Sequence, residues 1–268
     1  MSSFGTGFHE ARELEGGRVP QPGVVRFSRP SQTVRLRLFC LPYAGGNAWM
    51  FRTWPQALPS TVEVCAVELP GRGSRLLEPP HTRLLLLVRD MAEAILPYLD
   101  RPFVLFGHSM GALISFELAR QLRDQYSLRP GHLFVSARRA PHIPEPDPPI
   151  HSLPEPHFVD EVRSLNGVSD EVLRNEELMQ VIIPILRADF EMCETYTYIF
   201  GAPLNCPISA FGGVGDSETQ REDLEAWRDQ TTATFTLRMF PGDHFFLHSA
   251  QSTLLQGLCQ ELERLAAF

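Results

Sequence analysis

The sequence predicts an α/β fold, a mostly parallel sheet with helices on both faces. Three observations point to it. Short apolar strand patterns alternate with longer helical ones from Val34 onward, the rhythm of repeated strand–helix–strand units. Strand patterns end in turn-forming runs, such as Pro42-Tyr43-Ala44-Gly45-Gly46 and Pro70-Gly71-Arg72-Gly73. The length, 268 residues, suits one large α/β domain that can bury a sizeable core.

Residues 1–33 are rich in Gly, Pro, Arg and Ser, with no sustained apolar period, and are expected to form a flexible extension ahead of a domain over 34–268. Residues 34–41 begin as an alternating strand and become wholly apolar, and 62–69 form a second strand. Apolar residues at helical spacing fill 84–99, and 103–106 is a short strand running into Gly107. A helix follows over 110–125, with strands at 133–135, 208–211 and 234–240 and a closing amphipathic helix over 251–267. Residues 138–205 break the rhythm. They open with a Pro-rich stretch and continue as short helices, about 157–165 and 170–198, the second interrupted or kinked at Pro184. A helical insertion between two sheet strands is expected to act as a lid over a site.

Composition excludes several functions. All 24 basic residues are arginine, and the formal net charge is −8. Without lysine there is no cofactor Schiff base, no Ser-Lys pair and no phosphate-loop lysine. The acidic balance argues against a nucleic-acid partner. The longest strongly apolar run, 84–88, is too short to span a bilayer, and 1–18 carries no apolar signal segment. Five widely spaced cysteines with no C-x-x-C pair read as reduced, mostly buried thiols of a cytoplasmic protein.

Gly107-His108-Ser109-Met110-Gly111 matches G-x-S-x-G between an apolar strand and a helix, the setting of a nucleophile elbow. A serine nucleophile needs a base, and His244 lies just after the strand ending at Phe240, where α/β sites collect. His248 is the nearest competitor, expected at the surface or in packing. His108 should line the elbow. His142, His151 and His157 fit no metal spacing and read as solvated loop residues. The base needs an acid, and Asp216 follows the strand at 208–211. Asp243 reads as a turn residue and Glu218 as a weaker substitute. The order Ser109…Asp216…His244 is that of α/β-hydrolases. Met110 N–H should supply one oxyanion donor and the 42–46 loop another.

The chain resembles the type II thioesterases, stand-alone α/β-hydrolases that accompany polyketide and nonribosomal peptide synthetases. The matching segments include Leu41-Pro42-Tyr43-Ala44-Gly45-Gly46, Glu68-Leu69-Pro70-Gly71-Arg72-Gly73, the Ser109 pentapeptide, Leu186-Arg187-Ala188-Asp189-Phe190, Gly213-Val214-Gly215-Asp216 and Gly242-Asp243-His244-Phe245-Phe246. They run in family order over about 34–267. The resemblance implies Ser109, Asp216 and His244 as the triad and Ala44 as the second oxyanion donor. It implies that 138–205 is the lid over an acyl pocket. It further implies hydrolysis of acyl thioesters on the phosphopantetheine arm of acyl- or peptidyl-carrier proteins, as editing, with no cofactor or metal. A carboxylesterase or lipase on the same fold is the alternative. A monomer is expected. Acidic carrier proteins would need a local cationic patch, for which Arg138, Arg139 and Arg187 are candidates, with a solvated face or structural ion pairs as the alternative reading of each.

Overall fold

The computed structural model describes residues 23–26, 33–168 and 170–267. Its frame is a seven-stranded sheet in the order β1-β3-β2-β4-β5-β6-β7. The strands are β1 (Val24–Arg26), β2 (Leu36–Leu41), β3 (Val62–Val67), β4 (Phe103–His108), β5 (Leu133–Ser136), β6 (Ile208–Gly213) and β7 (Phe235–Phe240). The strands from β2 to β7 pair in parallel, while β1 runs antiparallel along the edge of β3.

Period-2 geometry explains why β2 to β5 are almost wholly apolar. Successive side chains point to opposite faces, and both faces are covered. Phe39 and Leu41 of β2, Cys65 and Val67 of β3, and Phe103 and Leu105 of β4 enter one core. Leu36, Leu38 and Cys40, Val62, Val64 and Ala66, and Val104 and Phe106 enter the other. The first core is closed by α1 (Leu84–Ile95) and α2 (Met110–Tyr126). In α1 the buried Leu84, Leu87, Val88, Met91 and Ile95 keep helical spacing along one stripe. The second core is closed by α8 (Gln251–Ala266), through Leu254, Leu255, Leu258 and Leu262, and by Phe51 and Trp54. Each such side chain contributes about 1.5–3 kcal/mol by leaving water.

Between β5 and β6 lie three helices, α3 (Glu155–Ser164), α4 (Asp170–Leu173) and α5 (Glu176–Glu194). They build a satellite core of Phe158, Val162, Met179, Ile183 and Leu186. The break in this segment differs from the sequence expectation. Pro184 lies inside α5 without ending it. The interruption comes before Asn175, whose side chain accepts the Leu178 N–H at 3.1 Å and caps α5. Two short helices complete the described chain, α6 (Arg221–Glu225) and α7 (Phe246–Ser249).

The expected extension over 1–33 lies largely outside the described residues. Within it, Val24–Arg26 form β1, paired with Cys65 to Val67, so the sheet begins earlier than the sequence pattern. No helix among the described residues is long and apolar enough to cross a membrane.

Candidate active site

Strand order places the site. β2 has β3 on one side and β4 on the other, so the chain leaves this point in both directions. In open α/β sheets such a switch point opens a crevice beyond the carboxyl ends of the strands. The loop after β2 carries Ala44 and the turn after β4 carries Ser109. The loops after β6 and β7 carry Asp216 and His244.

Ser109 has φ 53° and ψ −117°, left-handed backbone that a side-chain-bearing residue seldom adopts. Its N–H donates to the Ser136 carbonyl at 2.7 Å. The two motif glycines make the turn possible. A Cβ on Gly107 would stand 2.0 Å from the Gly111 carbonyl oxygen, and one on Gly111 would stand 2.3 Å from that of Leu41. Helix α2 can therefore begin directly against the end of β2, which sets the Met110 N–H near the Ala44 loop. Neither of those two N–H groups donates to a backbone or side-chain acceptor among the described residues.

His244 and Asp216 meet as the sequence expects. The His244 Nδ1 lies 3.0 Å from Asp216 Oδ2, and the Asp216 side chain is fully buried. The other carboxylate oxygen, Oδ1, accepts the Glu218 N–H at 2.8 Å and the Thr219 N–H at 3.1 Å. With Oδ1 filled by these two donors, Oδ2 is placed to accept a hydrogen bond from the His244 Nδ1–H, and in that tautomer the His244 Nε2 lone pair is free. The two loops approach closely because of Gly213, where a Cβ would be 2.3 Å from the Asp243 carbonyl oxygen. The Gly215 N–H also donates to the Gly242 carbonyl at 2.8 Å.

Ser109, Met110, Ala44 and His244 line one cavity of about 400 Å³. Its far wall comes from the inserted helices, through Val162, Leu165, Leu186 and Phe190, and its rim includes Arg138, Arg139 and Glu145.

The competing residues have other partners. The His248 ring nitrogen Nε2 lies 3.1 Å from the Tyr43 hydroxyl, and burial lowers the His248 pKa. Asp243 accepts the Phe245 N–H through Oδ1, as a turn residue does. Glu218 offers Asp216 its backbone, while its carboxylate accepts from the Ser217 hydroxyl. His142 and His151 are not solvated loop residues. His142 Nδ1 lies 2.8 Å from the Gln230 amide, and His151 Nδ1 lies 2.5 Å from Glu194 at the end of α5. His157 is exposed, as expected. All five cysteines are free thiols, three of them buried.

The three arginines considered as docking candidates have partners within the protein, and for Arg138 and Arg139 these are the structural ion pairs that were the alternative reading. Arg138 pairs with Glu145, and Arg139 pairs with Glu145 and donates to the Glu218 carbonyl at 2.8 Å. Arg187 donates to the His151 carbonyl and covers the Phe158 ring at 4.3 Å. Arg138 and Arg139 line the rim of the cavity.

Two site residues escaped the sequence reading, although both sit in segments that were singled out. Arg72 and Asp189 form a buried bidentate ion pair, both contacts 2.7 Å. Asp189 also accepts the Gly45 N–H at 2.7 Å.

An α/β sheet whose elbow serine, buried His–Asp pair and covered cavity stand at the carboxyl ends of the strands defines a hydrolase of the α/β-hydrolase fold. The Thioesterase domain family profile matches residues 36–264, and the chain belongs to that family. It is 46% identical over 237 residues to the gramicidin S biosynthesis protein GrsT of Aneurinibacillus migulanus, covering 88% of this chain and 93% of that protein. It is 50% identical over 221 residues to LgrE of Brevibacillus parabrevis, covering 81% and 84% respectively. That relative carries the name linear gramicidin dehydrogenase, whereas the present sequence has no G-x-G-x-x-G dinucleotide run. Among solved structures, the RedJ thioesterase of prodiginine biosynthesis in Streptomyces coelicolor superposes with a TM-score of 0.82 at 39% identity, covering 88% of this chain and 94% of RedJ. The protein is a thioester hydrolase of the type II kind that serves polyketide and nonribosomal peptide pathways.

Proposed function

We propose that the protein clears acyl groups from the phosphopantetheine arms of carrier proteins through a Ser109–His244–Asp216 triad and an acyl-enzyme. His244 Nε2 takes the Ser109 proton as Oγ attacks the thioester carbonyl carbon. The carbonyl π pair moves to oxygen, and the N–H groups of Met110 and Ala44 hold the resulting oxyanion. Collapse of this intermediate breaks the C–S bond, and His244 returns the proton to the departing thiolate. Water then attacks the acyl-Ser109 ester with His244 again as base, which releases the acid and restores Ser109. Residues 138–205 act as the lid over the acyl group.

The observation that carries this reading is the contact of His244 with the buried Asp216, 3.0 Å, with His244 on the same cavity as the strained Ser109. The carrier-bound substrate is supported by the biosynthetic relatives. The test pairs an acyl-pantetheine thioester with the matching oxygen ester. The thioester is expected to be turned over faster, and equal or faster cleavage of the oxygen ester would overturn the substrate assignment. Ser109→Ala is expected to abolish turnover and fluorophosphonate labelling while the chain stays folded. Hydrolysis by that variant would show that the nucleophile is another residue.

A further inference from the structure

The loop that offers the Ala44 N–H is held from outside itself. Tyr43 to Gly46 form a turn in which the Gly46 N–H donates to the Tyr43 carbonyl at 2.9 Å, with Gly45 at φ +76°. That backbone demands glycine at the third position of the turn. It also turns the Gly45 N–H away from the turn's own acceptors, and the partner it finds is Asp189 Oδ2 at 2.7 Å, on α5. The next carbonyl, that of Gly46, accepts from Arg72 Nη1 at 3.2 Å. Arg72 and Asp189 complete the frame through their paired contacts. The same helix packs down on the turn. A Cβ added to Gly45 would lie 2.7 Å from a Leu186 methyl.

The side chains of Arg72 and Asp189 are 6% and 1% exposed. A pair this buried pays most of its attraction back in lost hydration, so stability alone is a weak reason to keep it. Its geometry has a use instead. One carboxylate reaches a turn 144 residues away and joins it to the helix that roofs the cavity.

We infer that Asp189 is a positioning residue for the oxyanion hole, with Arg72 orienting its carboxylate, so that the Ala44 N–H is aimed only while α5 is seated on the 43–46 turn. The inference rests on the reading of Ala44 and Met110 as oxyanion donors. It adds that the lid and the oxyanion hole assemble as one unit. Lifting α5 would withdraw the acceptor from Gly45 and let the turn relax.

Two substitutions separate positioning from mere structural support. In Asp189→Asn the amide oxygen can take the Oδ2 place and still accept from Gly45, but the charge pair with Arg72 is gone. This variant is expected to melt lower yet keep kcat within about threefold of the parent. The double variant Arg72→Met/Asp189→Leu replaces both buried charges by apolar groups of similar size, so no unpaired charge is left, while the Gly45 N–H and the Gly46 carbonyl lose their side-chain partners. It is expected to stay folded at the assay temperature, with a modestly lowered melting temperature, and to lose about 10- to 100-fold in kcat, because Gly45 no longer has its acceptor. Its affinity for a trifluoromethyl ketone analogue of the acyl-pantetheine, which forms the tetrahedral oxyanion on Ser109, should fall by the same factor. Its affinity for the unreactive amide analogue should hold. Parental kcat in the double variant, or equal weakening of both analogues, would overturn the inference. Turnover by Ser109→Ala would instead sink the active-site reading itself, so the two failures are distinguishable.

Discussion

The His108 ring holds the backbone of His244. Its Nε2 lies 2.9 Å from the His244 carbonyl oxygen, and its Nδ1 lies 2.9 Å from the Ser136 hydroxyl. A carbonyl only accepts, so Nε2 carries the proton, Nδ1 is the acceptor and Ser136 donates to it. Burial, followed by the neighbouring His244, pushes the His108 pKa well below that of a free imidazole and keeps the ring neutral. Ser136 also accepts the Ser109 N–H on its carbonyl, so one residue of β5 steadies both the nucleophile and, through His108, the base. His108→Leu is expected to lower kcat about 10-fold or more with a smaller change in KM, since a misplaced base costs rate before it costs binding. Steady-state kinetics check this, and an unchanged kcat would remove His108 from the positioning machinery.

Asp216→Asn should be far more damaging than its shape suggests. The Oδ1 position receives two backbone N–H donors, from Glu218 and Thr219. The amide oxygen must sit there, which puts the NH₂ group against His244 Nδ1. Nδ1 then has to accept, the ring proton moves to Nε2, and the base loses the lone pair that Ser109 needs. The expected loss in kcat is about 10³–10⁴-fold, with the melting temperature little changed. A loss below tenfold would show that another acid serves His244.

Gly111→Ala tests the packing beneath the elbow. The new methyl would meet the carbonyl oxygens of Leu41 at 2.3 Å and Pro42 at 2.7 Å, both rigid backbone. Relief requires α2 to move away from the end of β2, which parts the Met110 N–H from the Ala44 loop. The expected cost is about 1–3 kcal/mol of stability together with loss of most activity. Gly131→Ala is the control, because its Cβ would meet nothing closer than the Phe103 carbonyl at 3.6 Å. Urea unfolding of the two variants should differ accordingly, and equal stability would refute the packing argument.

These cases mark how far the sequence could be read. Strands β2 to β6 were legible because both their faces are buried, so each is a mostly apolar run ending in turn residues, and β7 because its apolar residues alternate with the exposed Thr236 and Arg238. The placement of Ser109, Asp216 and His244 at the carboxyl end of the sheet was legible because each follows a strand. β1 was not, since three residues carry no period. Asp189 was visible within its motif, but its role was not, because its partners lie at Gly45 and Arg72, far off in the chain and joined to it only by packing. For Arg138, Arg139 and Arg187 the pattern left docking, a solvated face and structural ion pairs open. Whether an arginine faces solvent or a nearby carboxylate is decided by tertiary neighbours such as Glu145, which no local pattern encodes.

His132 makes folding stability depend on pH well away from the catalytic groups. It is 3% exposed, stacks on Phe134 at 4.2 Å between ring centres, and meets the Ser209 hydroxyl through Nε2 at 2.8 Å. Its Nδ1 is buried with no partner, so a second ring proton would have nowhere to bond. Burial, partly offset by Glu261 and reinforced by Arg264, lowers the pKa from 6.5 to about 4. The sign follows from linkage. Between these values the unfolded chain binds a proton that the folded chain refuses, so stability is full above pH 6.5 and declines as pH falls toward 4. By pH 5 the decline from this residue is about 2 kcal/mol, at 1.36 kcal/mol per pH unit. His132→Gln cannot take up the proton. Compared by urea unfolding, parent and variant should therefore converge as pH drops from 7.5 to 5, with the variant gaining about 2 kcal/mol relative to the parent. Carboxylates that titrate in the same range, and His108, are present in both chains and cancel in the difference. Parallel stability curves across that interval would show that His132 is not held neutral by the fold.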